Sequence, residues 1–179
     1  MRSSDLVNIL LKAAEVSYRT DFVVIGSSAI HGTIENPSID AVMRTPDADF
    51  YPVVALPPQL WESLMIELGQ ESDYHAETGC YLEIVSSNLA RFPDGWEQRA
   101  ITKRIFPEIH DLTVSKVAIR RPKDLDFLQG VVNLGLVDEA VLLTRWATVP
   151  RVNADGIKLG VSTIEEAFVL HRAQQRVMD

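Results

Sequence analysis

The apolar residues of this chain change their spacing near residue 110, and that change limits the folds open to it. Before it they gather in short runs, such as Phe22-Val23-Val24-Ile25 and Tyr81-Leu82-Glu83-Ile84-Val85. Runs this short, rich in β-branched and aromatic residues and bounded by glycine, read as strands rather than helices. After it, Leu112, Val114, Val117 and Ala118, then Leu125, Leu128, Val131 and Val132, then Val141, Leu142 and Trp146 read as successive short helices. The expectation is an α+β chain, with a small sheet and flanking helices over 1–109 and a helical C-terminal part over 110–179 packed on that core. A length of 179 residues suits one domain, or one domain with a small helical appendage.

Local signals place the elements. Leu6, Ile9, Leu10, Ala13 and Val16 predict a helix over 5–18, with Ser4 as its cap. Gly26-Ser27-Ser28 opens a shorter helix through His31. Residues 47–54 form an extended stretch in which Pro52 marks an edge position or the end of regular pairing. Beyond Pro57-Pro58, the residues Leu60, Trp61, Leu64, Met65 and Leu68 share one helical face. Residues 79–85 form a strand that pairs with a neighbour in sequence. Pro93-Asp94-Gly95 makes a turn, and 99–106 can add one more strand. A last helix runs over 162–177, with Ser162-Thr163-Ile164-Glu165-Glu166 as its capping pattern. Trp61, Trp96 and Trp146 are expected in the core.

Composition removes several function classes. No apolar run reaches the roughly 18 residues that cross a bilayer, and the first residues read as a helix rather than a secretion signal. Cys80 is the single cysteine, so neither an internal disulfide nor a cysteine zinc site is available, and the expected setting is cytoplasmic. His31, His75, His110 and His171 are scattered without zinc-binding spacing. The net charge is -8, and residues 35–97 hold twelve acidic against two basic side chains. Such a block repels nucleic-acid phosphates and could instead hold cations or form a solvated face. Only the Lys103-Arg104 and Arg120-Arg121-Lys123 clusters could touch phosphates.

Two features carry chemistry. The first is the strand, Gly26-Ser27-Ser28, helix sequence: glycine lets a phosphate approach the backbone, helix-start N–H groups bind anions, and Ser27 adds a hydroxyl. The G-x-G-x-x-G fingerprint and the P-loop lysine are both absent. The second is Asp47-Ala48-Asp49-Phe50-Tyr51. On a strand, residues two apart share a face, so both carboxylates project together while Ala48 and Phe50 face the core. Such an oxygen-rich pair suits Mg²⁺. A strand exposing two solvated aspartates is the plainer alternative.

Together, VVIGSSAIHG and MRTPDADFYP resemble the signature of the polymerase-beta-like nucleotidyltransferase superfamily. That resemblance implies a small mixed sheet and a third carboxylate on a neighbouring strand, which falls on Glu83. The stretches His110–Lys116 and Arg120–Asp126 look like the lysine and R-x-K-D helices of minimal bacterial nucleotidyltransferases, including toxins of abortive-infection systems. By position the resemblance carries over Lys116 as a contact to nucleotide phosphates and Asp124 as a supporting group. It spans roughly residues 20–130.

The implied activity is Mg²⁺-dependent transfer of a nucleoside monophosphate from an NTP, such as ATP, to an acceptor hydroxyl, with release of pyrophosphate. Asp47, Asp49 and Glu83 would hold metal and catalyse, while Gly26, Ser27, Ser28, Lys116 and Asp124 would bind nucleotide. The acceptor would be a tRNA 3′ end, a protein or a small molecule, and a toxin–antitoxin role with an antitoxin partner would follow from the resemblance. The rival is a non-catalytic nucleotide- or partner-binding module on the same fold. Glu83 pointing into solvent would favour the module, and a carboxylate trio facing Ser27 and Lys116 across a cleft would favour the enzyme.

Overall fold

A computed structural model describes residues 1–43, 45–85, 91–101 and 105–178. The order is α1 (Ser3–Ser17), β1 (Phe22–Ile25), a 3₁₀ helix (Ser27–Gly32), α2 (Asp40–Met43), β2 (Asp47–Pro52), α3 (Pro58–Leu68), α4 (Asp73–Thr78), β3 (Tyr81–Ile84) and α5 (Trp96–Arg99). The remainder is helical: α6 (Ile109–Ile119), α7 (Pro122–Asn133), α8 (Glu139–Trp146) and α9 (Ala154–Met178). The α+β expectation, with a small mixed sheet and a helical back half, matches this architecture.

The sheet has the order β1-β2-β3, with β1 antiparallel and β3 parallel to β2. β2 is therefore the central strand, and Pro52 is its last residue, opposite Phe22. A proline costs little there, because the register with β3 has already ended at Phe50 and only the Val53 N–H bond to the Asp21 carbonyl follows on the β1 side. The parallel step from β2 to β3 needs a crossover, which α3 and α4 supply. Residues alternate across the sheet. Phe22, Val24, Ala48, Phe50 and Leu82 join the main core beneath the helices. Val23, Ile25 and Tyr51 face the other way and form a small cluster with Phe92, flanked by Val85 and Trp96. Asp47 and Asp49 share that second face.

One main core joins both parts of the chain, from Leu6 and Phe50 to Val114, Phe127 and Ile164. At its centre lies α6, buried along almost its whole length from Ile109 to Val117. A helix surrounded on all sides must pair any charge it carries, and α6 carries two, Asp111 and Lys116. The turn from α6 into α7 is tight. Arg120 takes a left-handed conformation and closes α6, and Pro122 occupies the first turn of α7. Asp124 then reaches back to accept the Arg121 backbone N–H at 3.0 Å.

Three local expectations shift. The last helix begins at Ala154, so Ser162 lies within it, its hydroxyl bonded to Glu166 at 2.9 Å. The helix start is held instead by Asn153, whose Oδ1 accepts the Gly156 N–H at 2.8 Å. Gly156 and Gly160 weaken the helical signal there. Gly160 is nevertheless required, because a Cβ would meet the Trp146 ring at 2.1 Å. Trp61 is 46% exposed rather than in the core, whereas Trp146 is buried. Of the strand expected over 99–106, Ile101 and Phe106 form an isolated antiparallel bridge, and Lys103-Arg104 lie outside the described residues. No helix among the described residues is long and apolar enough to cross a membrane.

Candidate active site

The register of the sheet assembles the acidic group. Asp49 lies opposite Ile25 on one side and Glu83 on the other, and Asp47 lies opposite Tyr81. Alternation then puts Asp47, Asp49 and Glu83 on one face, with carboxylate oxygens that all lie within 4.8 Å of one another. Like charges at that separation repel, and solvent reaching the exposed Glu83 screens part of that repulsion. Burial, aided by the charges of Asp47 and Glu83, pushes the Asp49 carboxyl up to about 6, while Lys116 and Lys123 pull the other way. A divalent cation would relieve this repulsion, and three carboxylates are the hard-oxygen donors that Mg²⁺ or Mn²⁺ prefers. The donor set fits such an ion.

Gly26 stands against this group. Its φ is +69°, and a Cβ built on it would lie 1.8 Å from Asp49 Oδ2. The close approach that glycine permits is thus made by a carboxylate of the chain itself. Ser27 and Ser28, which follow it in the 3₁₀ helix, are both buried. The Ser27 hydroxyl accepts a hydrogen bond from Lys116 Nζ at 3.0 Å. The Ser28 hydroxyl has no partner among the described residues.

Lys116 is 2% exposed. Besides Ser27, its ammonium meets Asp124 Oδ1 at 3.4 Å and lies 5.6 Å from the centre of the Phe127 ring. Burial lowers its pKa below the ordinary lysine range, against the attraction of Asp124 and Asp49. Asp124 is fully buried and also takes Arg121 Nε at 2.8 Å. Burial pushes its carboxyl up, but Arg121 and Lys116 outweigh that and hold it below the usual range.

These groups surround an open cleft of about 620 Å³. Gly26, Asp47, Asp49, Tyr81 and Glu83 form the sheet-borne wall, and Lys116, Arg121 and Lys123 the helix-borne wall, with Arg91 at the rim. Glu83 is solvent-exposed yet within reach of both aspartates. Ser27, Ser28 and Asp124 lie behind the lining, and Asp124 touches the cleft only through its partners. Arg91 escapes a motif-based reading, since it follows no pattern. Its one signal is that it and Arg44 are the only cations in the acidic block over 35–97.

A family model described as "Nucleotidyltransferase of unknown function (DUF6036)" matches residues 4–149, which takes in every residue lining the cleft. Neither a curated protein nor a solved structure matches the chain significantly. With four-fifths of its length matched, the chain belongs to this nucleotidyltransferase family of unknown function.

Proposed function

We propose that this chain is a divalent-metal-dependent nucleotidyltransferase, moving a nucleoside monophosphate from an NTP to an acceptor hydroxyl. The observation that carries the reading is the trio Asp47, Asp49 and Glu83, close together and unpaired by any arginine or lysine salt bridge among the described residues, facing cations across a cleft. Asp47, Asp49 and Glu83 would hold Mg²⁺, whose contribution is to neutralise phosphate charge and align the α-phosphate for in-line attack.

The chain's own groups supply the rest. The helix-borne wall offers positive charge for the β- and γ-phosphates of the NTP, opposite the acidic wall. The acceptor oxygen attacks the α-phosphorus, and the new O–P bond forms as the bridging bond to the β-phosphate breaks. Pyrophosphate leaves with the electron pair of that bond. The hydroxyl proton passes to a carboxylate of the trio, and Glu83, its exposed member, is the one an incoming acceptor meets first. Gly26 keeps the turn close against Asp49, so the carboxylate stays where β2 places it.

The test is incubation with Mg²⁺ and each labelled NTP, with and without bulk tRNA, following pyrophosphate release and label transfer. Transfer to tRNA, to the protein itself or to an added small-molecule hydroxyl supports the reading and names the acceptor class. Tight nucleotide binding with no transfer to any of them overturns it in favour of a binding module.

A further inference from the structure

The cleft's cations fall into two sets that differ in what they already hold. Lys116 is buried within the helix-borne wall, its ammonium shared between the Ser27 hydroxyl and the Asp124 carboxylate. Arg121 spends its guanidinium on the same carboxylate, with Nε at 2.8 Å and Nη2 at 3.3 Å. Arg91 and Lys123 also line the cleft, both are exposed, and neither makes an ion pair or hydrogen bond among the described residues. A phosphate entering the cleft would compete at Lys116 with Ser27 and Asp124, which already hold its ammonium, and would meet no such competition at Arg91 and Lys123. Charge-assisted bonds to phosphate are strong only where the donor is free to make them.

Lys116 has a different use. It ties the turn after β1, through Ser27, to the start of α7, through Asp124. Gly26, the neighbour of Ser27, lies directly against the Asp49 carboxylate. Lys116 thus holds the floor beneath the acidic trio and places one positive charge near Asp49 from behind.

We infer that Lys116 is a positioning residue that holds the Gly26-Ser27 turn against Asp49, and that Arg91 and Lys123 are the side chains that meet the phosphates of a nucleoside triphosphate. This division of labour rests on the nucleotidyltransferase reading but is read out separately from it. It departs from the phosphate-contact role that the family resemblance assigns to Lys116.

The probes are inorganic tripolyphosphate and ATP, titrated into the purified full chain, together with steady-state transfer kinetics. The Arg91→Ala/Lys123→Ala double variant should weaken tripolyphosphate and ATP at least tenfold, with an unchanged melting temperature. Lys116→Met should leave both dissociation constants within twofold, yet lower kcat at least tenfold with KM for the NTP unchanged. Should Lys116→Met not fold, Ser27→Ala removes only the hydroxyl that Lys116 holds and should show the same split in milder form.

A folded Lys116→Met or Ser27→Ala that weakens tripolyphosphate tenfold, or wild-type affinity in the Arg91/Lys123 variant, overturns the assignment. Tripolyphosphate that binds the wild type and is lost in the double variant, without any nucleotide transfer, upholds the phosphate contacts and sinks the transferase reading. Transfer by the double variant at wild-type KM does the reverse.

Discussion

Two groups of carboxylates in this protein meet burial in opposite ways. Asp111, fully buried in α6, is gripped by Arg99 through two bonds of 2.9 Å and by Arg145 at 3.0 Å. Beside it, Glu108 also pairs with Arg145 and bonds His110 at 2.7 Å. Burial raises the Glu108 carboxyl, yet the bonds from His110 and Arg145 outweigh that and bring it down to about 2. On the sheet face, Asp49 has acidic neighbours instead of arginines and is pushed up to about 6. Charge that is paired holds helices together, whereas charge left unpaired waits for something the chain does not supply.

The largest effects expected from breaking this contrast are on activity. Asp49→Asn should lower nucleotide transfer by on the order of 10³ or more, the scale of losing one preorganised electrostatic group, with the fold retained. Asp111→Asn should leave transfer per folded molecule near wild type but cost about 4 kcal/mol of stability in urea unfolding, because it strips the shared partner from two half-buried arginines. If Asp49→Asn destabilises and Asp111→Asn does not, the roles of the two groups are reversed.

A pH series sharpens the same comparison. The Asp49 pKa is raised, so the folded state binds a proton that the unfolded state releases, and metal-free stability falls as pH climbs from about 4 to about 6. The loss is at most about 3 kcal/mol and should vanish in Asp49→Asn. Glu108 works the other way: its stabilisation is present above the ordinary carboxylate pKa and is lost as pH falls toward about 2. Metal-free wild type whose stability rises between pH 4 and 6 as steeply as that of Asp49→Asn would contradict the Asp49 assignment.

The smallest effect falls on the turn. Gly26→Ala should cost about 1–2 kcal/mol in thermal unfolding, from its positive φ and the displaced Asp49 carboxylate. A neutral result would mean that the turn and Asp49 can separate freely.

The contrast also shows what a chain discloses before it folds. Asp47 and Asp49 share a face because a strand alternates, and the alternation of Ala48 and Phe50 makes that readable locally. Glu83 joins them only because β3 runs parallel to β2 in one register, a pairing across a helical crossover that no short window encodes. The spacing of α6 marks a helix, but Lys116 looks like any solvated lysine until the packing of α7 encloses it. The start of α9 was hidden by Gly156 and Gly160, and the need for Gly160 comes from Trp146 rather than from its own helix. Local periodicity carried the elements, and long-range register carried the site.

Direct titration of Mn²⁺ by electron paramagnetic resonance at pH 7.5, on wild type, Asp49→Asn and Asp111→Asn, tests the central contrast most directly. The account predicts stoichiometric Mn²⁺ binding in wild type and Asp111→Asn, with affinity reduced at least tenfold in Asp49→Asn. Mn²⁺ binding that survives Asp49→Asn unchanged would show that the unpaired trio is not the metal site.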